Sequence, residues 1–519
     1  MAKKDMFAEF KEHSVAEFFK KNKQMLGFSS RIRSLTTAVH EYVSNSLDAC
    51  EEAGILPELY IEITNISGDH YVLKVRDNGP GIPPDIVPRV FGKLLAGTKF
   101  HRMIPTRGQQ GIGAAGVTMF AQMTTGKPVH VKTSRGDGTI YEMDVMIDVK
   151  RNEPIVKNQR SYPGNWRGTE VTAEMREVLY NRSKYSAYEY VRRTALANPH
   201  AQITLVEPDG KKTVWYRTSF EVVRMDKVGK PHPLGITVDD LMTLAHYVTK
   251  ARKVSSMLRT ELEAVGTKSI QELEKLVGRD LLEKNPADLQ WAEAERIVNA
   301  LKQMKFRSPS TDVLVSIGAE QIKTSLRENL KPRYVAAVTR KPKVYSGGIP
   351  FLVEVGVAMD GDVKGFELMR YANRSPLLFE QGACAITQAV NSVGWKRYGI
   401  SSLQDANVVI FVNVVSTHIP YVSAGKQAIA DIPEVYNEIR AALMEAGRKI
   451  REYTLKVSQM RELLAKKRIL EHYLPELSTA LARILDEDEQ RIHQILKSAL
   501  EDRYRRLKEL EEKIGAGAE

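Results

Sequence analysis

Two cysteines, Cys50 and Cys384, are all that the 519 residues contain, and neither belongs to a Cys-x-x-Cys or Cys/His pattern. That count argues against a disulfide framework and against a structural zinc; reduced thiols in a cytosolic protein are the expectation. Long apolar runs are also missing. No stretch of about 18 or more apolar residues occurs, so no helical membrane span is expected. The opening Met1-Ala2-Lys3-Lys4-Asp5-Met6 has no apolar signal-peptide core behind it. Internal repeats are absent, and low complexity is confined to the last residues, Gly515-Ala516-Gly517-Ala518-Glu519, which read as disordered.

What is present is the composition of an ordinary globular chain, 43% hydrophobic and 27% charged, long enough for several domains. Lys and Arg number 76 against 64 Asp and Glu, a net charge of +12. An excess of that size permits contact with a polyanion such as DNA, and it equally serves solubility alone.

Four regions follow from the patterning. Residues 1–228 alternate helical segments with strand-like runs such as Leu59-Tyr60-Ile61-Glu62-Ile63 and Tyr71-Val72-Leu73-Lys74-Val75, which predicts an α/β sandwich. Gly229-Lys230-Pro231-His232-Pro233-Leu234-Gly235 reads as a joint, and residues 229–306 are purely helical after it. There Thr237 is placed to cap a helix from Val238, Thr267 or Ser269 a second, and Asn285-Pro286 to open a third. Strands return in 307–470, where Phe351–Val357 and Val408–Val414 flank a helix near Ala383 to Val393. That spacing predicts a strand–helix–strand crossover. From about Pro433 the chain is helical and charged, with an interruption expected near Tyr473-Leu474-Pro475 and a final helical segment in 471–519. Its apolar positions Leu481, Ile484, Leu485, Ile492, Ile495 and Leu496 suit either a helix lying on its own domain or a docking helix for another subunit.

Four strings carry chemistry. In His40-Glu41-Tyr42-Val43-Ser44-Asn45-Ser46-Leu47-Asp48, Glu41, Asn45 and Asp48 share one helical face while Val39, Val43 and Leu47 turn to the core. A carboxylate one turn from a carboxamide suits a site that orients water and holds Mg2+, although an exposed helical face shows the same spacing. Next, Val75-Arg76-Asp77-Asn78-Gly79-Pro80-Gly81 follows a predicted strand; it is strong turn chemistry, and a functional Asp77 would accept a hydrogen bond from an amino group. Third, Thr106-Arg107-Gly108-Gln109-Gln110-Gly111-Ile112-Gly113 runs into an apolar helix, where glycine N–H groups can approach phosphate. It carries no Gly-Lys-Ser/Thr and is not a Walker loop. Last, Trp166-Arg167-Gly168-Thr169 places Gly-Thr at the start of a strand.

In this order and at domain-sized spacing, the four strings resemble the GHKL ATPases, whose nucleotide domain is the Bergerat α/β sandwich. The resemblance implies ATP and Mg2+ as ligands. It makes Glu41 the general base for the attacking water, Asn45 the magnesium ligand, and Asp48 a nucleotide-site residue beside them. Asp77 would read adenine, Gly79 and Gly81 shape its pocket, Thr169 lie near the adenine, and Gly108, Gln109, Gln110, Gly111, Ile112 and Gly113 close over the phosphates.

Three further strings resemble the B subunits of topoisomerase VI, a type IIB DNA topoisomerase. Ser14–Phe28 is similar to their N-terminal arm, where an amphipathic surface helix is the plain alternative. Phe91-Gly92-Lys93-Leu94-Leu95-Ala96-Gly97-Thr98-Lys99-Phe100-His101, followed by Arg107-Gly108-Gln109-Gln110-Gly111, is similar to their nucleotide lid, with Lys99 approaching the phosphates. Ile419-Pro420-Tyr421-Val422-Ser423-Ala424-Gly425-Lys426-Gln427 is similar to the transducer loop whose lysine, here Lys426, reaches the terminal phosphate from a second domain. A compact cation on a long stem suits that task.

This resemblance reaches to about residue 470. It implies an α+β multidomain chain: GHKL sandwich, helix-two-turn-helix insert, transducer with a right-handed crossover, and long C-terminal helices. The activity implied is that of an ATP-hydrolysing topoisomerase subunit. Two such chains would dimerise on ATP and gate passage of one double-stranded DNA through a break made by the A subunit, in an A2B2 heterotetramer that relaxes and decatenates DNA. The location implied is cytoplasmic, nucleoid-associated and of archaeal type, with no membrane. Asp486-Glu487-Asp488-Glu489 is expected to be a solvated helix face. A mismatch-repair-type ATPase would not predict the Phe18-Phe19 arm or the helical insert. A sensor kinase would need a phosphoacceptor helix before Glu41, and a nucleotide-gated chaperone would do without DNA.

Overall fold

The computed structural model describes residues 14–97, 103–108, 111–223, 225, 228–247, 251–423 and 425–504. Two-residue alternation builds its first sheet. The strands β1 (Glu58–Ser67), β2 (His70–Arg76), β3 (Val129–Arg135), β4 (Thr139–Asp148), β5 (Glu153–Pro163), β6 (Arg167–Met175), β7 (Gln202–Val206) and β8 (Lys212–Trp215) lie in the order β5-β4-β3-β6-β2-β1-β7-β8. Every neighbouring pair is antiparallel except β1 with β7. Leu59, Ile61 and Ile63, Leu73 and Val75, and Val171 and Ala173 share one face and are buried. Beyond the short α1 (Val15–Lys21), that face is covered by α2 (Arg31–Glu52), α4 (Gly113–Thr125) and α5 (Ala187–Ala197), with α3 (Val87–Gly92) beside β4 and β5. A period-two strand pattern under amphipathic helices is what a one-sided sheet requires. The arm folds against the same unit: Ser14 caps α1 reciprocally with Glu17, Ala16 is buried among Leu94, Ala115 and Met119, and Phe28 stacks on Phe120 at 4.4 Å.

Five helices, α6 (Val238–Tyr247), α7 (Val254–Glu261), α8 (Thr267–Val277), α9 (Arg279–Glu283) and α10 (Trp291–Gln303), enclose a core of their own. Thr237 caps α6, accepting from the Asp240 N–H at 3.1 Å. The other two expected starts differ. Gly266, without a side chain, precedes α8, and neither Thr267 nor Ser269 caps it. Asn285-Pro286 opens one 3-10 turn, after which α10 begins afresh behind Gln290.

The second sheet corrects the expected crossover. After α11 (Ala319–Leu330) come β9 (Tyr334–Thr339), β10 (Lys343–Tyr345), β11 (Ile349–Met359), β12 (Phe366–Ala372), β13 (Ser375–Pro376), α12 (Ala385–Ser392) and β14 (Val408–Ser416). β11 and β14 are direct antiparallel neighbours, Phe351 opposite Ser416 and Met359 opposite Val408. The parallel crossover is instead β12–α12–β14. Glu367 and Arg370 disguise β12 as a polar loop, and each is matched in place. Glu367 accepts from Arg192 and Arg193, while Arg370 donates to the carbonyls of Leu377 and Phe379. α12 and the long α13 (Pro433–Leu485) cover one face, α11 and the end of α5 the other, so the central strands are buried on both faces and largely apolar.

α13 runs 53 residues and passes through Pro475 without a break. Proline removes one N–H bond, and packing carries the helix past it. Leu474 sits against Leu500 of α14 (Glu489–Arg503) and Tyr504 just after it, and Ser478 meets His493 at 3.1 Å. The break falls at Asp486, left-handed at φ 53°, and Asp488 caps α14. The acidic run is thus an interhelical turn and not a helix face. Among the described residues, no helix is long and apolar enough to cross a membrane.

Candidate active site

Helix α2 divides its sides between core and cavity. Val39, Val43 and Leu47 are fully buried, while Arg33, Thr37, Glu41 and Asn45, four residues apart, line a cavity of about 580 Å³. Asp48 departs from the expectation. It does not line the cavity but turns beneath the glycine strip, where its carboxylate takes the Arg107 guanidinium at 2.7 Å and the Gly108 N–H at 3.3 Å.

Asp77 follows the end of β2 and is held from three sides. Its Oδ1 accepts from the Gly79 and Thr169 N–H groups at 3.0 and 3.1 Å, its Oδ2 from the Ser46 hydroxyl at 2.8 Å. Burial pushes its pKa upward, and these donors to the charged form oppose the shift. A carboxylate has about four acceptor positions. Three are filled by protein, which leaves capacity toward the cavity for an amino group. Backbone approach fixes two glycines here. A Cβ on Gly81, at φ 71°, would fall 2.1 Å from the Ser134 oxygen, and one on Gly168 2.0 Å from the Asp77 oxygen. Thr169 and Gly81 line the cavity; Gly79 sits behind Asp77 and does not.

The opposite wall is the glycine strip. Gly108, Gly111, Ile112 and Gly113 line the cavity, and α4 begins at Gly113 with no side-chain cap from Ile112. The leading N–H groups of that helix are therefore available to an anion. Glu41 lies against Gly113, and the carboxamide oxygen of Asn45 faces Gly108. Lys99, Gln109 and Gln110 lie outside the described residues. Among those described, no group of three or more His, Cys, Asp or Glu side chains is placed to hold a metal ion. Asn45 offers a single hard oxygen ligand at the cavity wall.

The loop after β14 closes the remaining side. Gly425, Lys426 and Gln427 line the cavity, with Lys426 at φ 52°. Burial lowers the pKa of His40, Glu41 opposes this and the Lys426 charge adds to it, which sets Lys426 near the Glu41 end. Several residues of the site carry no signal that the sequence alone makes recognisable. Arg33 bridges to Glu380 at 3.3 Å and lies over the Phe379 ring at 4.6 Å, and Ser423 of the same loop donates to Glu380. The four-residue spacing from Arg33 through Thr37 to Glu41 is the available clue. Ser46 stands inside the first string but one position off its polar face. Arg107 stands just before the glycine string and looks like a solvated loop residue until its buried partners are seen.

A sheet backed by α2 and α4, with Glu41 and Asn45 facing a glycine strip and Asp77 facing a Gly-Thr strand, defines a nucleotide-hydrolysing domain. Residues 30–149 match the family of histidine kinase-, DNA gyrase B- and HSP90-like ATPases. Residues 309–467 match the transducer of topoisomerase VI B subunits. The B subunit of type 2 DNA topoisomerase 6 from Pyrococcus horikoshii is 48% identical, covering 96% of this chain and 96% of its own. Its counterpart from Methanothermobacter thermautotrophicus is 45% identical over 95% and 96%. Among solved structures, the ATPase region of Saccharomyces cerevisiae topoisomerase II superposes at a TM-score of 0.41 with 13% identity, over 85% of this chain and 99% of that one. The chain belongs to the family of type 2 DNA topoisomerase 6 B subunits, and it is an ATP-binding member built of a GHKL ATPase domain and a transducer.

Proposed function

We propose that the chain binds ATP with the adenine amino group on Asp77, Thr169 beside the ring, and the phosphates beneath Gly108, Gln109, Gln110, Gly111, Ile112 and Gly113, with Lys99 alongside. Glu41 takes the proton of the attacking water; a positioned carboxylate contributes about 10²–10⁴-fold in such a role. Asn45 holds Mg2+ together with phosphate oxygens and water, and the ion supplies charge neutralisation to the triphosphate. Asp48, through Arg107 and Gly108, anchors the strip rather than touching nucleotide. Lys426 contacts the terminal phosphate and reports its presence to the transducer. The observation that carries this reading is convergence. Glu41 and Asn45, Asp77, the strip residues Gly108, Gly111, Ile112 and Gly113, and Lys426 come from four distant segments and line one cavity.

On this reading ATP dimerises two such chains, the arms near Phe18 to Phe28 crossing between them. With an A subunit in an A2B2 assembly they pass one DNA duplex through another, in the cytoplasm at the nucleoid. Such a gate moves only if nucleotide binds the closed state more tightly. The domains are taken as 1–228, 229–306, 307–470 and 471–519, the last docking the A subunit. Ile484, Leu485 and Ile495 are exposed there, as a docking helix requires.

The test is supercoil relaxation with purified A subunit, with and without ATP, for the native chain and for Glu41→Ala. Relaxation that needs ATP and this chain, with multiple turnover lost in Glu41→Ala, is expected. ATP hydrolysis without relaxation, alongside an A subunit that is active with another partner of this family, would overturn the DNA reading.

A further inference from the structure

The transducer touches the nucleotide domain at a second place, away from Lys426. Between β12 and β13 the chain turns on two residues, Asn373 and Arg374, at φ 48° and 65°. A two-residue hairpin with both φ positive favours Asn and Gly. Arginine at the second position accepts backbone strain, which points to a use for its side chain.

Both side chains run into the base of the glycine strip. Asn373 donates to the Thr106 carbonyl at 3.1 Å while fixed to Ser416 on both of its polar ends. Arg374 donates to Glu51 at 2.7 Å, and the same carboxylate takes the Arg107 guanidinium at 2.8 and 3.0 Å and His200 at 2.9 Å. Asn198 closes the ring, accepting from Arg107 at 2.5 Å and donating to the Arg374 carbonyl at 3.2 Å. The ion-paired side chains of Asp48, Glu51, Arg107 and Arg374 are at most 3% exposed. Two carboxylates balance two guanidiniums. Burial would raise the Glu51 carboxyl, but Arg107, Arg374 and His200 outweigh it and hold its pKa well below the usual range. Behind the hairpin, Asn413 accepts from the Arg374 N–H and donates to Glu354 in the middle of the second sheet.

We propose that Asn373 and Arg374 are the transducer's positioning residues for the nucleotide lid, holding Thr106 and Arg107 so that the amides of Gly108, Gly111 and Gly113 are set for phosphate. This rests on the ATP reading above and extends it. Lid and transducer then share one buried network, and displacement of the β12–β13 hairpin withdraws the lid's support with no movement of Lys426. A purely structural cluster would join the two domains but would not tune nucleotide affinity.

The full chain is titrated calorimetrically with a non-hydrolysable ATP analogue and Mg2+. Arg374→Met removes the charge at similar length; Arg374→Lys keeps it; Asn373→Gly keeps the positive φ and removes the bond to Thr106. Expected are a Kd about tenfold weaker for Arg374→Met, within the usual range for coupling between sites, and recovery to about threefold of native in Arg374→Lys. Asn373→Gly should weaken binding about threefold or more, with stoichiometry unchanged in all three. A folded Arg374→Met that binds within twofold of native, or loses only stoichiometry, overturns the proposal. Should that variant not fold, an unaltered Kd in Asn373→Gly overturns it alone. Failure of the native chain to bind would instead sink the ATP reading, and the positioning role with it.

Discussion

The Glu41 carboxylate rests against the Cα of Gly113, so closely that a methyl group there would lie 1.8 Å from Oε2. The first helical residue of α4 is therefore the floor on which the proposed base stands, and any side chain must push that base out of place. Gly113→Ala is expected to lower kcat for ATP hydrolysis about 100-fold or more, the scale of a lost general base. Binding at the Asp77 end should persist. Steady-state hydrolysis beside equilibrium binding checks this; undiminished turnover would show that Glu41 is not the base.

Asp77→Asn keeps the shape of the pocket and reverses one polarity. The Gly79 and Thr169 N–H groups demand an oxygen, so the new amide nitrogen must take the position of Oδ2, facing Ser46 and the cavity. An amino group on the ligand would then meet a donor. ATP affinity should fall by about 1–3 kcal/mol, or roughly five- to 160-fold. Binding titrations decide, and native affinity in the variant would remove Asp77 from adenine recognition.

Lys426→Met separates the terminal phosphate from the rest of the nucleotide. A charge-assisted contact is worth about 1.5–3 kcal/mol, so affinity for an ATP analogue should drop more than tenfold while ADP binds as before. Equal losses for the two nucleotides would mean that Lys426 shapes the cavity without reading the last phosphate.

The depressed Glu51 carboxyl makes a pH prediction. Its folded pKa lies below the ordinary 4.5, so the unfolded chain binds the extra proton. Stability from this group is fully present above about pH 4.5 and is lost as pH falls toward the folded pKa. Glu51→Gln should be less stable at neutral pH, because it leaves two buried guanidiniums short of a partner. It should also show a flatter decline on acidification below that point. Circular dichroism across pH 2–7 reads both; an unchanged acid slope would show that Glu51 is not the titrating group.

Local strings make the cavity legible because each of its walls is a short segment. Glu41 and Asn45 share a helical face by spacing alone, Asp77 follows a strand that alternation reveals, and the glycines precede an apolar helix. Relationships across the chain stay hidden. Asp48 has the same helical phase as Asn45 but turns away because Arg107, 59 positions later, claims it. The charges of β12 conceal a central strand, since the partners of Glu367 lie on α5 and those of Arg370 on the chain after β13, so the pattern alone assigns the crossover to β11. Pro475 reads as a break because its lost hydrogen bond is local, while the packing of α14 that spans it is not. Arg374 gives no sign at all, since a solvated arginine in a turn looks the same in sequence.

α13 finally has a mechanical meaning. The part buried in the core of the second sheet ends at Val457, yet the helix continues to Leu485, about 28 residues or roughly 40 Å at 1.5 Å per residue. α14 folds back along that free length and doubles its thickness. The result is a braced boom rooted in the sheet that carries the β12–β13 hairpin. A rotation of about 10° at the root would carry the tip roughly 7 Å. A side-chain-sized shift of the hairpin about that root would thereby become one of several ångströms at the tip, with force reduced in the same proportion.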